Sequence, residues 1–227
     1  MGRLGLPQPV SVIGNNDSNV KLIVNLAEEE GEELSVYAWQ SLQTIANFTT
    51  VAAELQGSIQ TIAPGFKTIT GSTMWNRTGN NYIDGSLSPA TWQALASRNV
   101  AGPFNQFRIR GNNLYLMPAP PAGDQYYFEY TSGNWILDQD GSTTKSTFVE
   151  DTDEVLFDDG LFKNGVIVRF LRFNGLEYAQ KFDDYERMKL NLQANDGGRP
   201  KITDQLWCNE DDCPPFGAII PDGNWNQ

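Results

Sequence analysis

The segment that most limits what this chain can fold into lies at 107–130. Phe107-Arg108-Ile109-Arg110 and Leu114-Tyr115-Leu116-Met117 flank Gly111-Asn112-Asn113, a turn composition that accepts positive φ. That arrangement predicts a β-hairpin. Pro118 to Gly123 supplies a second turn, and Tyr126-Tyr127-Phe128-Glu129-Tyr130 returns as a third strand. Phe128 and Tyr130 share one face of it, Tyr127 and Glu129 the other. Trp135-Ile136-Leu137 is expected to continue the same sheet.

The flanks carry a different period. Asp17-Ser18 is a good N-cap, and Val20, Ile23, Val24 and Ala27 follow at helical spacing. Ala27, Gly31 and Leu34 continue that face, while five glutamates between 28 and 33 read as a solvated or partner-facing side. Trp39 and Leu42 extend the helical reading to about 17–43. Phe48-Thr49-Thr50-Val51-Ala52-Ala53 is rich in β-branched residues and reads as a strand, as does Ile69 to Trp75. Ser88-Pro89 opens a short helix with Trp92, Leu95 and Ala96 on one face, closed by Gly102-Pro103. Beyond an acid-rich stretch at 138–159, one helix runs from about Asp158 through Leu161, Val168 and Leu171, with Arg169 and Arg172 on its far side. Asn174-Gly175 breaks it. A second helix from Leu176 places Ala179, Phe182, Tyr185 and Leu192 together and stops at Gly197-Gly198.

These segments predict an α+β fold. An N-terminal helix and a C-terminal helix pair form a helical bundle, with an antiparallel β-rich domain inserted between them. The boundaries are 1–43 for the N-terminal arm and helices, 44–150 for the β-rich insertion, 151–196 for the helix pair and 197–227 for an extended tail. The tail has no periodicity, yet it holds Leu206, Trp207, Phe216, Ile219, Ile220 and Trp225. It is expected to lie across another surface, its own body's or a partner's.

Charge and residue types narrow the function. With 28 acids, 16 bases and no histidine among 227 residues, the formal charge is −12. Nucleic-acid binding through a basic face is disfavoured, because that mode needs clustered Lys and Arg. Without histidine there is no Ser-His-Asp triad, Cys-His pair or His metal ligand. Cys208 and Cys213, separated by four polar residues, match neither a zinc site nor a redox pair and are read as reduced thiols. No signal peptide, membrane span, metal site or cofactor is expected. Asp151, Asp153 and Glu154 could serve as paired carboxylates for glycoside hydrolysis, with Trp75, Tyr82 and Trp135 as sugar platforms. A solvated loop leading into the acidic first turn of a helix explains the same acids. Asp151 to Glu154 also lacks the ligand ladder of a calcium loop. Arg108 and Arg110 could grip acidic groups of a neighbour, or simply face outward from a strand.

Several strings occur in a characteristic order: Phe48-Thr49-Thr50-Val51-Ala52, Thr73-Met74-Trp75-Asn76-Arg77-Thr78, Leu87-Ser88-Pro89 followed by Trp92-Gln93-Ala94-Leu95, and Gly102-Pro103. Phe107-Arg108-Ile109-Arg110-Gly111-Asn112, Tyr115-Leu116-Met117-Pro118-Ala119-Pro120 and Phe128-Glu129-Tyr130 follow. Over about 17–195 the series resembles the head-to-tail adaptor (connector) proteins of tailed bacteriophages, related to tail tubular protein A of short-tailed phages. The resemblance implies a structural virion protein and not an enzyme. It implies a homo-oligomeric ring, typically a dodecamer, between the portal protein and the tail nozzle or tail tube protein. DNA passes through without specific binding, and no membrane is involved. The protein would be made in the host bacterial cytoplasm and reside in the virion neck. Trp207, Phe216, Ile219, Ile220 and Trp225 are then expected to contact the portal or a neighbouring subunit. Gly111, Asn112, Asn113, Asn76, Arg77 and Tyr82 are expected on the tail side. The alternatives are a carbohydrate-degrading tail protein using the paired carboxylates, or a minor capsid or tail decoration protein.

Overall fold

A computed structural model describes residues 9–98 and 105–197. Helix α1 (Ser18–Leu34) starts where Asp17 accepts a hydrogen bond from Asn19 N–H, and it buries Val20, Leu26, Glu30, Gly31 and Leu34. It ends at Leu34, short of the expected 43. Ser35 N–H closes the last turn on Gly31 O at 2.9 Å, and the chain reverses. The Trp39 indole donates to Leu34 O at 2.8 Å, satisfying a terminal carbonyl of the helix. Trp39 and Leu42 then enter the same core as Leu34 through a 3-10 turn, Gln40–Leu42. Their apolar spacing reflects burial, not a continuing helix.

Next come β1 (Gln43–Thr49), β2 (Leu55–Ser58), the one-turn helix α2 (Ile59–Ile62), β3 (Phe66–Ile69), β4 (Trp75–Asn76), β5 (Asn81–Tyr82) and α3 (Pro89–Arg98). β1 begins five residues before the expected strand and ends at Thr49. The hairpin is present as β6 (Gln106–Arg110) and β7 (Asn113–Met117), followed by β8 (Gln125–Ser132). β8 organises the largest sheet: β1 lies along one edge, β3 and β4 share the other, and β5 lies beyond β4, all antiparallel. A second sheet has the order β2-β7-β6. The two enclose a core that includes Ala46, Ile59, Met74, Ile83, Phe107, Leu114, Leu116, Tyr126 and Phe128.

Trp135-Ile136-Leu137 does not continue that sheet. β9 (Ile136–Leu137) pairs instead with β10 (Thr144–Lys145) and β11 (Glu154–Val155) in a third small sheet. Two long helices follow, α4 (Asp159–Phe173) and α5 (Ala179–Asp196). Asp158 caps α4 by accepting from Leu161 N–H at 2.8 Å.

The expected plan of a terminal helical bundle around an inserted β domain does not hold. The protein is mixed α/β, with five helices and three antiparallel sheets in the described residues. α1 packs on α4 and α4 on α5. Of α5, however, only Tyr185 is buried, too narrow an apolar stripe to close a bundle. The missing surface comes from β structure and loops. Trp135, Ile136, Phe157, Trp39 and Leu42 share one core with Leu34, Leu161, Phe162, Val166 and Val168. Trp135, 1% exposed, stacks on Phe157 at 6.0 Å and lies against Gly31 of α1, where a Cβ would overlap its ring.

Candidate functional site

Four features of the described residues have the chemistry to act on something else. The first lies where α1, α4 and α5 meet. Glu30 is 2% exposed, and the absence of a Cβ at Gly165 on α4 leaves room for its carboxylate. That carboxylate accepts from Arg169 Nε at 2.6 Å and from the Tyr185 hydroxyl at 2.6 Å. Arg169 also binds Glu33 and reaches Glu29 at 3.4 Å, while Lys189 Nζ lies 3.2 Å from Glu33. Burial, and then the hydrogen bond to Glu30, push the Tyr185 phenol well above its ordinary range. Burial alone would lower the Arg169 pKa; the surrounding Glu30, Glu33 and Glu29 raise it instead. A shallow cavity of about 270 Å³ borders this cluster, lined in part by Tyr178, Phe182 and Arg172.

The five glutamates are therefore not one solvated face. Glu30 points inward, Glu29 and Glu33 meet Arg169, and Glu28 accepts from Phe148 N–H at 3.2 Å. The signal was present in the spacing. Leu26, Glu30 and Leu34 fall at i, i+4 and i+8 on the buried stripe, and an acid there requires a cation. With each carboxylate oxygen of Glu30 paired, the cluster works as a clamp between three helices.

The second feature is the acidic segment before α4. Asp151 Oδ1 accepts from Val12 N–H and Ile13 N–H at 3.0 and 2.6 Å, which lowers its pKa. Asp153 Oδ2 accepts from Val149 N–H and Glu150 N–H at 2.8 and 3.0 Å, and Oδ1 lies 2.9 Å from Lys145 Nζ. Burial works against ionisation of Asp153, but the Glu150 and Val149 N–H groups and Lys145 outweigh it and bring its pKa down to about 2. Lys145 also pairs with Asp138 at 3.0 Å. Glu154 sits exposed on β11. Asp151 and Asp153 are thus engaged with backbone N–H groups and, for Asp153, a lysine. Trp135 is buried, while Trp75 and Tyr82 belong to a different sheet. Among the described residues no group of three or more His, Cys, Asp or Glu converges to hold a metal ion, and no helix is long and apolar enough to cross a membrane.

The third feature is the pair of loops expected to face a tail protein. Gly111 and Asn112 both have positive φ (54° and 62°) and close the hairpin beyond the Arg110–Asn113 pair. Asn112 O accepts from Ile59 N–H at 2.9 Å, so α2 braces the tip. Asn76 is 4% exposed; its amide donates to Asp124 at 2.8 Å and accepts from Thr78 and Gly79 N–H at 2.9 Å each. Arg77 stacks on Tyr127 at 3.7 Å, and Tyr82 packs on Trp75 at 5.7 Å. Gly111, Asn112 and Asn113 lie at the Ser58 end of β2, whereas Asn76 and Arg77 lie beside the 118–124 turn at the other end of β7. The fold does not bring the two groups together. Arg108 and Arg110 form no ion pair among the described residues, and Arg110 lies 4.7 Å above the Tyr115 ring. Trp207, Phe216, Ile219, Ile220 and Trp225, and both cysteines, lie outside the described residues.

The fourth feature had not been expected. Phe173, Leu176, Tyr178 and Phe182 cluster around the turn between α4 and α5 with exposures of 66, 51, 38 and 42%. Leu190, 63% exposed, lies two turns further along α5. This apolar patch sits on the acidic half of the molecule. Residues 17–34 and 134–197 hold 19 acids and 8 bases, a balance of −11, whereas residues 35–133 hold 4 acids and 5 bases, a balance of +1. No protein-family model and no curated protein matches the chain.

Proposed function

We propose that this chain is a structural subunit that works by docking, the repeating unit of a head-to-tail adaptor ring that joins a phage portal to its tail or nozzle. The observation that carries the docking part is the exposed patch Phe173, Leu176, Tyr178 and Phe182 at the α4–α5 turn. Large apolar side chains grouped on a surface mark interaction sites, and aromatic residues dominate the energy of such contacts. The ordered residue series described above supplies the kind of assembly. In this reading the helical half meets the portal or a neighbouring subunit, aided by Trp207, Phe216, Ile219, Ile220 and Trp225. Its balance of −11 disfavours adhesion of the passing DNA.

The test replaces the patch and leaves the core intact. Phe173→Glu combined with Leu176→Glu is expected to abolish capture by the portal protein of the source phage while shifting the urea midpoint little, because both side chains are already more than half exposed. Undiminished capture by the double variant would remove the patch from the function.

A further inference from the structure

The described chain forms two bodies, each closed around its own core. Leu34, Trp39, Leu42, Trp135 and Ile136 belong to the helical body, and Ala46, Ile59, Met74, Leu116 and Phe128 to the body made by the two larger sheets. Among the described residues no apolar side chain belongs to both cores. Every ion pair among them lies within the helical body.

The chain crosses between the bodies twice, side by side. Leu42 fills the helical core, and the next residue, Gln43, opens β1. β8 ends at Ser132, and Gly133-Asn134 leads to Trp135 in the helical core. Gln43 pairs with Thr131, so the two crossings form a two-stranded neck.

The surroundings of the neck are polar. Ser35, Thr131 and Ser132 are buried beside it. Lys67, an exposed residue of β3, donates from Nζ to Ser35 O at 2.8 Å and lies 3.2 Å from Ser35 Oγ. Gly65, at φ 71°, turns its carbonyl to Gly133 N–H at 2.7 Å. The Asn134 side chain lies against Gly65 and donates to Thr144 O at 3.0 Å. Water can replace hydrogen bonds of such accessible groups at little net cost. Bodies joined by small polar contacts move relative to one another, whereas a large apolar interface would fix them. Hinges are a few residues at element ends that absorb the change in φ and ψ, and 42–43 and 132–134 are such positions.

We infer that the neck is a hinge, placed at Leu42-Gln43 and Ser132-Gly133-Asn134, and that Lys67 is the latch that favours the described arrangement. Because the two crossings are paired neighbours, the motion is a bend across the neck and not a free rotation. The apolar patch at the α4–α5 turn and the hairpin tip at Gly111 then change their separation while each body keeps its packing. The hinge does not depend on the adaptor reading.

Residual dipolar couplings of the backbone amides test it on the full chain, in the wild type and in Lys67→Met, in a neutral medium that aligns by shape. They average over the microsecond-to-millisecond range in which hinge motions fall. The couplings of each body are expected to fit that body with a single alignment tensor. Lys67→Met removes the latch and leaves both cores intact, so it should give the two bodies tensors of different magnitude, with a smaller difference in the wild type. Equal magnitudes for the two bodies in both proteins would overturn the hinge. A difference that Lys67→Met leaves unchanged or narrows would overturn the latch.

Discussion

Replacing Arg169 with Met should be among the most damaging single changes on the helical half. The substitution keeps most of the aliphatic packing and removes the cation that faces Glu30, a carboxylate 2% exposed. Breaking a buried ion pair from one side costs about 3–5 kcal/mol. The lower end applies here, because the Arg169 side chain is 23% exposed and the Tyr185 hydroxyl still donates to Glu30. A loss of about 3 kcal/mol is therefore expected. Glu30→Met should cost less, about 2 kcal/mol, because Arg169 keeps Glu33 and Glu29 on the surface while only the Tyr185 hydroxyl loses its partner. The double variant Glu30→Met with Arg169→Met should sit near the milder single variant, since no buried charge is left alone. Urea unfolding measures all three, read as a shift in midpoint at constant slope. A strictly additive double variant, or an Arg169→Met loss below about 1 kcal/mol, would refute the clamp.

Two further outcomes follow from the packing. The folded-state pKa of Asp153, brought down to about 2, lies below its unfolded value near 4, so its contribution to stability is full above about pH 4 and is lost as the pH falls toward 2. Asp153→Asn should lower stability at pH 7 and flatten the pH dependence of the urea midpoint across that window; an unchanged acid limb would contradict the assignment. Gly31→Ala places a methyl group into the ring of buried Trp135, and should destabilise the protein by about 1–3 kcal/mol despite the better helix propensity of alanine. A stabilised Gly31→Ala variant would show that the Gly31–Trp135 contact is looser than described.

What was legible in the sequence was local. The hairpin at 106–117 was readable because Gly111 and Asn112 supply the positive φ that its turn requires. The start of α4 was readable from Asp158, and the end of α5 from Gly197. The errors arose where tertiary packing decided the outcome. Trp39 and Leu42 kept a helical spacing because they fill the core around Leu34, although the backbone between had already turned. Trp135-Ile136-Leu137 looked like the next strand of the main sheet, but Trp135 is bound into the helical core by Gly31, Phe157 and Phe162. That exchange of partners is what overturned the bundle plan. Among the candidate functional residues, the run of glutamates hid one buried member, and only its place between Leu26 and Leu34 distinguished it. The patch around Phe173 carries no signal in the spacing, because Phe182 shares a helix face with Tyr185 and its exposure depends on how little of α5 the body covers.

We propose that this chain joins a portal to a tail as a ring of identical subunits. Electron microscopy of the purified full chain, alone and after mixing with the portal protein of the source phage, tests it most directly. A monomer is expected alone and, on the portal, one continuous ring of added density with the portal's rotational symmetry. A portal that remains bare at saturating concentrations of the chain would contradict it.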